Sequence, residues 1–210
     1  MTDQVIFWRK WLRDFTRLVL QAPARALAFL EVEPATLTLL GLLVSLGAGF
    51  VFGLGNLSGA AWLLLVSGFF DMTDGQVARL SDKASSAGAF LDSLTDRLSD
   101  GAVLVGISWF FAARGEVLYA VFSGAALTAS LTVSYAKARA ENLIDDCSVG
   151  FWERPERLVL LIIGSFIGPE ALGICLIVLT AGALWTAVRR TVHTFRKLAE
   201  KKNAKGEERR

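Results

Sequence analysis

The sequence predicts an all-α integral membrane protein: six transmembrane helices preceded by an N-terminal amphipathic helix lying in the membrane interface. Three observations carry that prediction. The first is apolar content. Of 210 residues, 53% are hydrophobic and 20% charged, with a mean hydropathy of +0.48; soluble domains are close to half apolar and about a quarter charged. The second is uneven placement. No charged residue occurs from Pro34 to Phe70, from Val117 to Ala136, or from Ala171 to Val188. A spanning helix needs ~20 mostly apolar residues, and these runs lack the alternation of barrel strands. The third is charge asymmetry. The net charge is only +2, yet the 22 lysines and arginines cluster before Pro34, around Lys83, from Lys137 to Arg157, and after Val188. An ordinary soluble enzyme, a disordered chain and a disulfide scaffold are all excluded. Cys147 and Cys175 read as free thiols, and His193, within a basic tail, is given no catalytic role.

The chain divides into an amphipathic juxtamembrane arm (1–33), a six-helix transmembrane catalytic domain (34–190) and a basic cytoplasmic tail (191–210). In the arm, Val5, Ile6, Trp8, Trp11, Leu12, Phe15, Leu18 and Val19 recur at helical spacing, with Arg9, Lys10, Arg13 and Arg17 between them. Such a helix lies in the headgroup layer; a soluble coiled-coil arm is the alternative. Its scattered charges exclude a signal peptide. The first span is expected at 34–52, opened by Pro34, with Gly41, Ser45, Gly49 and Gly53 forming a small-residue stripe for close helix approach. A Gly-rich turn at 53–59 leads to a second helix over 57–80. A third fits 84–113, ending near Gly115, and a fourth fits 116–141. A polar loop (142–150) precedes a fifth over 152–167, whose first turn tolerates Pro155. Gly168-Pro169 separates it from a sixth over 170–190, which leads into a tail expected to be partly disordered.

Six spans put both termini on one side. The loops of the other side then carry only Arg114 among the basic residues, so the positive-inside rule makes the arm, the Lys83 loop, the 137–157 region and the tail cytoplasmic. The expected location is the cytoplasmic membrane, multi-pass, with the site on the cytoplasmic side.

One stretch breaks the apolar rule. Asp71 and Asp74 are three apart, Asp92 and Asp96 four apart, so each pair shares a helix face. The two helices are joined by a short loop, so four carboxylates meet at one depth. They repel strongly unless a cation holds them, and clustered carboxylate oxygens select hard ions, Mg²⁺ or Mn²⁺. Mg²⁺ takes one or two protein carboxylates and completes its shell with water and substrate phosphate. Four carboxylates therefore suit two ions per site, clamping a phosphoryl group. Gly75, Ala78 and Gly88 leave room for a nucleotide or diphosphate, and Arg79 is placed to neutralise phosphate charge. Solvated helix-end acids are the plain alternative for any single aspartate. An EF-hand is excluded by the spacing. An ion-coupled transporter is the rival of a different class; it predicts internal repeats and midplane acids, whereas no repeat is seen and these acids sit toward one face.

The run Asp71-x2-Asp74-Gly75-x2-Ala78-Arg79-x8-Gly88-x3-Asp92-x3-Asp96 resembles, without gap or substitution at its eight positions, the signature of the CDP-alcohol phosphotransferase (CDP-alcohol phosphatidyltransferase) family. The resemblance covers nearly the whole chain. It implies a membrane enzyme of phospholipid synthesis in which an acceptor hydroxyl attacks the lipid-side phosphorus of a CDP-linked lipid such as CDP-diacylglycerol, and CMP leaves. It implies that Asp71, Asp74 and Asp92 are metal ligands and that Asp96 is both ligand and general base. It implies CDP contacts from Gly75, Ala78, Arg79, Ser85 and Gly88, and from the element Pro34-Ala35-Thr36-Leu37-Thr38. Ala35 departs from the Asn or Asp usual after that proline. A homodimer is also implied. The expected partners are a CDP-linked lipid, a phosphorylated polyol and the bilayer, with no nucleic acid.

The acceptor rests on other residues. Ser134-Tyr135-x-Lys137-Ala138-Arg139, Glu153-Arg154-Pro155-Glu156-Arg157 and Arg189-Arg190 all fall at cytoplasmic helix ends. Converging cations suit an acceptor that itself carries phosphate; topology alone is the competing explanation. These stretches, with Asp92-Ser93, look most like the phosphatidylinositol-phosphate synthase branch. That likeness implies inositol phosphate as acceptor, gripped by Lys137, Arg154 and one of Arg189 or Arg190. A phosphatidylglycerophosphate synthase, which more often has Asp-Pro at that point, is the runner-up.

Overall fold

The computed structural model describes residues 20–144, 147 and 149–207. The interfacial helix expected over 1–20 therefore falls outside the described residues, apart from its last position. Every regular element among them is helical. A helical segment, α1, covers 20–29. It is followed by α2 (Pro34–Gly53), α3 (Leu57–Leu80), α4 (Ser86–Ala113), α5 (Val117–Glu141), α6 (Arg154–Ile167) and α7 (Pro169–Glu207).

The bounds of α2 to α6 lie within two residues of expectation because the punctuation is local. Pro34 occupies the first position of α2, where its missing N–H costs nothing. Gly115 ends the α4–α5 turn with φ 76° and Gly168 the α6–α7 turn with φ 138°, regions that β-carbon-bearing residues avoid. The end of the chain differs from expectation. Instead of stopping near Arg190, α7 continues to Glu207. No glycine or proline occurs from Thr191 to Lys205, most of that stretch consists of good helix formers, and Lys197 pairs with Glu200 at 3.0 Å one turn on.

Among the described residues, three helices are long and apolar enough to cross a membrane: Pro34–Gly53, Val117–Glu141 and Pro169–Asn203 of α7. The acids of α3 and α4 keep those helices out of that set. At ~1.5 Å per residue the 14 residues of α6 span about 21 Å, short of the ~30 Å hydrocarbon core.

The chain forms two compact units. Of the described residues, the first comprises those up to Leu46 together with Leu63–Ser99, and the second comprises Gly47–Trp62 and those from Asp100 onward. In the first, Ala24 of α1, Leu37 of α2 and Val77 of α3 form a buried cluster, joined by Leu27, Ala28, Val32 and Phe70. Higher on the same pair of helices, Ser67 Oγ lies 2.6 Å from Ser45 Oγ and 3.1 Å from the Gly41 carbonyl. A β-carbon on Gly41 would sit 3.3 Å from that of Phe70. The first half of the small-residue stripe thus seats α3.

In the second unit the rest of the stripe seats α4. A β-carbon on Gly49 would strike the Ala102 carbonyl, and one on Gly106 would strike the Gly49 backbone. Backbones this close are what small residues allow between membrane helices. Ser123 donates to the Leu104 carbonyl at 2.7 Å, linking α5 to α4. Ala129, Val133, Ala183 and Ala187 form the α5–α7 seam. Gly164 of α6 lies against Leu172 and Cys175 of α7. The loop before α6 is laid on α7: Gly150 and Trp152 pack against Thr186 and Gly182, and the Trp152 N–H reaches Thr186 Oγ1 at 3.4 Å.

Candidate metal and substrate site

The first unit carries the aspartates. Its α3 ends in a tight reversal. Ser81 N–H donates to the Val77 carbonyl and Lys83 N–H to the Ala78 carbonyl, both at 2.9 Å, while Asp82 takes the left-handed conformation at φ 54°. A six-to-one bond closed by a left-handed residue is a common way to finish a helix. Ser85 then caps α4, its hydroxyl accepting the Gly88 N–H at 3.1 Å. Two turns of backbone thus bring α3 and α4 together with their aspartates facing each other.

Three of the four carboxylates meet. Asp71, Asp92 and Asp96 each place one oxygen within 4.8 Å of the others. Ligands at ~2.1 Å around an octahedral ion lie about 3–4.2 Å apart, so this all-oxygen set fits one hard divalent cation after small adjustment. Asp74 is held differently. It is 6% exposed, and its Oδ2 accepts the Thr38 hydroxyl at 2.5 Å. Thr38 belongs to the Pro34–Thr38 element, so that element reaches the acidic cluster through a direct hydrogen bond.

Beside the carboxylates lies a cavity of about 310 Å³. Of the ten residues expected to contact the CDP-lipid, Pro34, Ala35, Thr38, Gly75, Ala78, Arg79, Ser85 and Gly88 line it, together with Asp71, Asp74 and Asp92. Two lie elsewhere: Leu37 is 3% exposed within the α1–α2–α3 cluster, and Thr36 faces out on the surface. Helical rotation explains both, since 34, 35 and 38 share a face that 36 and 37 do not. Sequence reasoning missed Lys83, Ala84 and Ala89, which also line the cavity. Lys83 was legible only as a topology charge; its Nζ is 3.1 Å from Glu33 Oε1. The cavity presents two cations, Arg79 and Lys83, and the first turn of α4, where unbonded backbone N–H groups favour an anion. Its wall at Gly75 and Gly88 has no side chain. This suits a diphosphate and a flat ring.

The second unit holds the cations assigned to the acceptor. Arg190 is 2% exposed. It donates from Nε to the Val149 carbonyl and from Nη1 to the Val133 carbonyl, both at 2.9 Å, and from Nη2 to Glu153 Oε1 at 3.2 Å. Lys137 Nζ lies 3.9 Å from the same Glu153 oxygen. Arg154 Nε is 3.5 Å from Asp100 Oδ1, and Arg157, 5% exposed, donates to Asp100 Oδ2 at 3.1 Å. Arg189 is exposed. Lys137, Arg154 and Arg190 are therefore drawn in around two carboxylates, while Arg189 stands outside that arrangement. Neither Glu153 nor Asp100 was singled out from the sequence. Asp100 had one signal: it continues the four-residue spacing of Asp92 and Asp96.

Comparisons with known proteins follow the same lines. The model of the CDP-alcohol phosphatidyltransferase family matches residues 32–192. The archaetidylinositol phosphate synthase of Methanothermobacter thermautotrophicus is 38% identical over 166 residues, covering 77% of this chain and 83% of that protein. The phosphatidylinositol phosphate synthase of Corynebacterium glutamicum is 33% identical over 187 residues, covering 86% and 85%. The crystal structure of Mycobacterium tuberculosis phosphatidylinositol phosphate synthase with CDP-DAG bound superposes with a TM-score of 0.75 at 34% identity, covering 84% of this chain and 92% of that one. The same enzyme in complex with manganese and citrate gives 0.72, also at 34% identity, covering 83% and 88%.

Proposed function

Because the chain belongs to the CDP-alcohol phosphatidyltransferase family, we propose that it transfers the phosphatidyl group of CDP-diacylglycerol, or its diether counterpart, to inositol phosphate, releasing CMP. The observation that carries this reading is the meeting of Asp71, Asp92 and Asp96 beside a cavity lined by the expected nucleotide residues. The relatives differ in lipid, archaetidyl or phosphatidyl, and share the inositol phosphate headgroup.

The residues divide the work. Arg79, Lys83 and the first turn of α4 bind the diphosphate, and the bare faces of Gly75 and Gly88 admit the nucleotide. Asp71, Asp92 and Asp96 hold Mg²⁺ or Mn²⁺, which supplies charge neutralisation at the diphosphate. A second ion would draw on Asp74, whose Oδ2 is held by Thr38. Asp96 takes the proton of the acceptor hydroxyl as it attacks the lipid-side phosphorus. CMP departs with the electrons of the broken phosphoanhydride bond. Lys137, Arg154 and Arg190 hold the acceptor's phosphate, with Arg190 favoured over the exposed Arg189.

The enzyme in this reading is a homodimer with six spans, sited in the cytoplasmic membrane with its active site facing the cytoplasm. The deciding assay offers purified protein CDP-diacylglycerol, Mg²⁺ or Mn²⁺, and one acceptor at a time, with CMP as readout. Inositol phosphate should release CMP fastest. CMP with glycerol phosphate alone would make it a phosphatidylglycerophosphate synthase. No CMP with any acceptor, and ion-dependent flux in liposomes, would make it a transporter.

A further inference from the structure

A single carboxylate oxygen, Glu153 Oε1, sits against both Lys137 Nζ (3.9 Å) and Arg190 Nη2 (3.2 Å). We propose that Glu153 is a resident stand-in for the acceptor's phosphate, which acceptor binding must displace. The inference rests on the reading that Lys137 and Arg190 hold that phosphate.

Three features support an exchange and not a fixed structural pair. Arg190 does not need Glu153 to stay in place. Its Nε and Nη1 are pinned by the Val149 and Val133 carbonyls, which leaves Nη2 as the nitrogen turned toward an anion. Lys137 Nζ stands beyond hydrogen-bond reach of Glu153, so its attraction is coulombic and the lysine is free to swing to a new partner. The Glu153 side chain is 34% exposed, so it has solvent to turn into when a stronger anion takes its place.

The electrostatic consequence is specific. An incoming phosphate meets cations already neutralised by a carboxylate, and the two anions repel at contact distance. In the resting enzyme the stand-in keeps a buried guanidinium paired. It also selects against weakly charged ligands, since only an anion stronger than a carboxylate replaces it with gain. An uncharged polyol cannot.

Glu153→Gln keeps the shape and removes the charge. We expect its acceptor KM to fall roughly 5- to 20-fold, with the CDP-diacylglycerol KM unchanged. Inorganic phosphate, used alone as a competitor against inositol phosphate, should inhibit the variant at correspondingly lower concentration. Glu153→Ala, monitored for folding by size-exclusion profile in detergent, should move the same way. An acceptor KM that rises or stays put in folded Glu153→Gln overturns the exchange, because a carboxylate that merely positions the cations would give that result. Lys137→Ala in the same assay separates the two levels. If it raises the acceptor KM while Glu153→Gln fails to lower it, only the stand-in is wrong. If it leaves the acceptor KM untouched, the acceptor site itself is misplaced and the stand-in falls with it.

Discussion

At the scale of single residues, the proposed chemistry gives the four aspartates different tasks. Asp96 shares its cluster with Asp71 and Asp92; in the proposed mechanism it receives the acceptor's proton, and a cation held by the three carboxylates would supply the charge that makes that hydroxyl more acidic. Asp96→Asn should therefore fold normally and lose roughly 10²- to 10⁴-fold in kcat; near-normal CMP release would remove Asp96 from the mechanism. Asp74 is constrained by Thr38. In Thr38→Val the shape is kept and the hydrogen bond is lost, so Asp74 should be misdirected toward its neighbours and the metal requirement should shift. The measurement is the Mn²⁺ concentration giving half-maximal activity, and an unchanged value would mean Thr38 only packs. For Lys137→Ala, a lost charge-assisted contact worth ~1.5–3 kcal/mol predicts about a 10- to 150-fold loss in acceptor kcat/KM, with the CDP-lipid KM nearly constant.

At the scale of elements, the sequence announced helices well and their partners poorly. Pro34, Gly115 and Gly168 are punctuation that acts within one or two residues, so the starts and stops around them were legible. The four-residue stripe at Gly41, Ser45, Gly49 and Gly53 announced a close approach, but it serves α3 in its first half and α4 in its second, and spacing alone cannot name the neighbour. The same limit hid the roles of Glu153 and Asp100. A charge in sequence looks like surface until the element facing it is known. The tail failed for another reason: its polarity suggested disorder, while its helix propensity and lack of glycine carried α7 to Glu207. Two substitutions probe the element contacts. Gly49→Ile must push α4 away at Ala102 and should abolish a stable monodisperse protein in detergent, whereas Gly47→Ala, with open space around its β-carbon, should keep the parent unfolding temperature. Asp100→Asn strips the carboxylate from the buried Arg157. Arg157 keeps its bond to the Ser130 carbonyl but loses a buried charge partner, so the unfolding midpoint in detergent should fall; an unchanged midpoint would show that Arg157 is satisfied without Asp100.

At the scale of the whole molecule, the number of spans fixes which way the chain threads. Among the described residues, three helices meet the length and apolarity of a span without help; α3 and α4 bring acids into the count, and α6 is short. Acids within spanning helices are tolerated where they face a protein or water-filled interior, and a short helix is accommodated by local thinning of the bilayer, so a count of six is physically open to all of them. An even count would put α2's start and α7's end on the same side, and by the positive-inside rule the lysine and arginine distribution predicts that side to be the cytoplasmic one. Parity is what a labelling experiment reads. Single cysteines placed at Asn142 or at Lys202, in a protein lacking Cys147 and Cys175, should react with an impermeant maleimide only from the cytoplasmic face. One placed at Arg114 should react only from outside. Labelling at Asn142 from outside would overturn the six-span threading, because α5 would then end on the face opposite the one that the lysine and arginine distribution predicts for it.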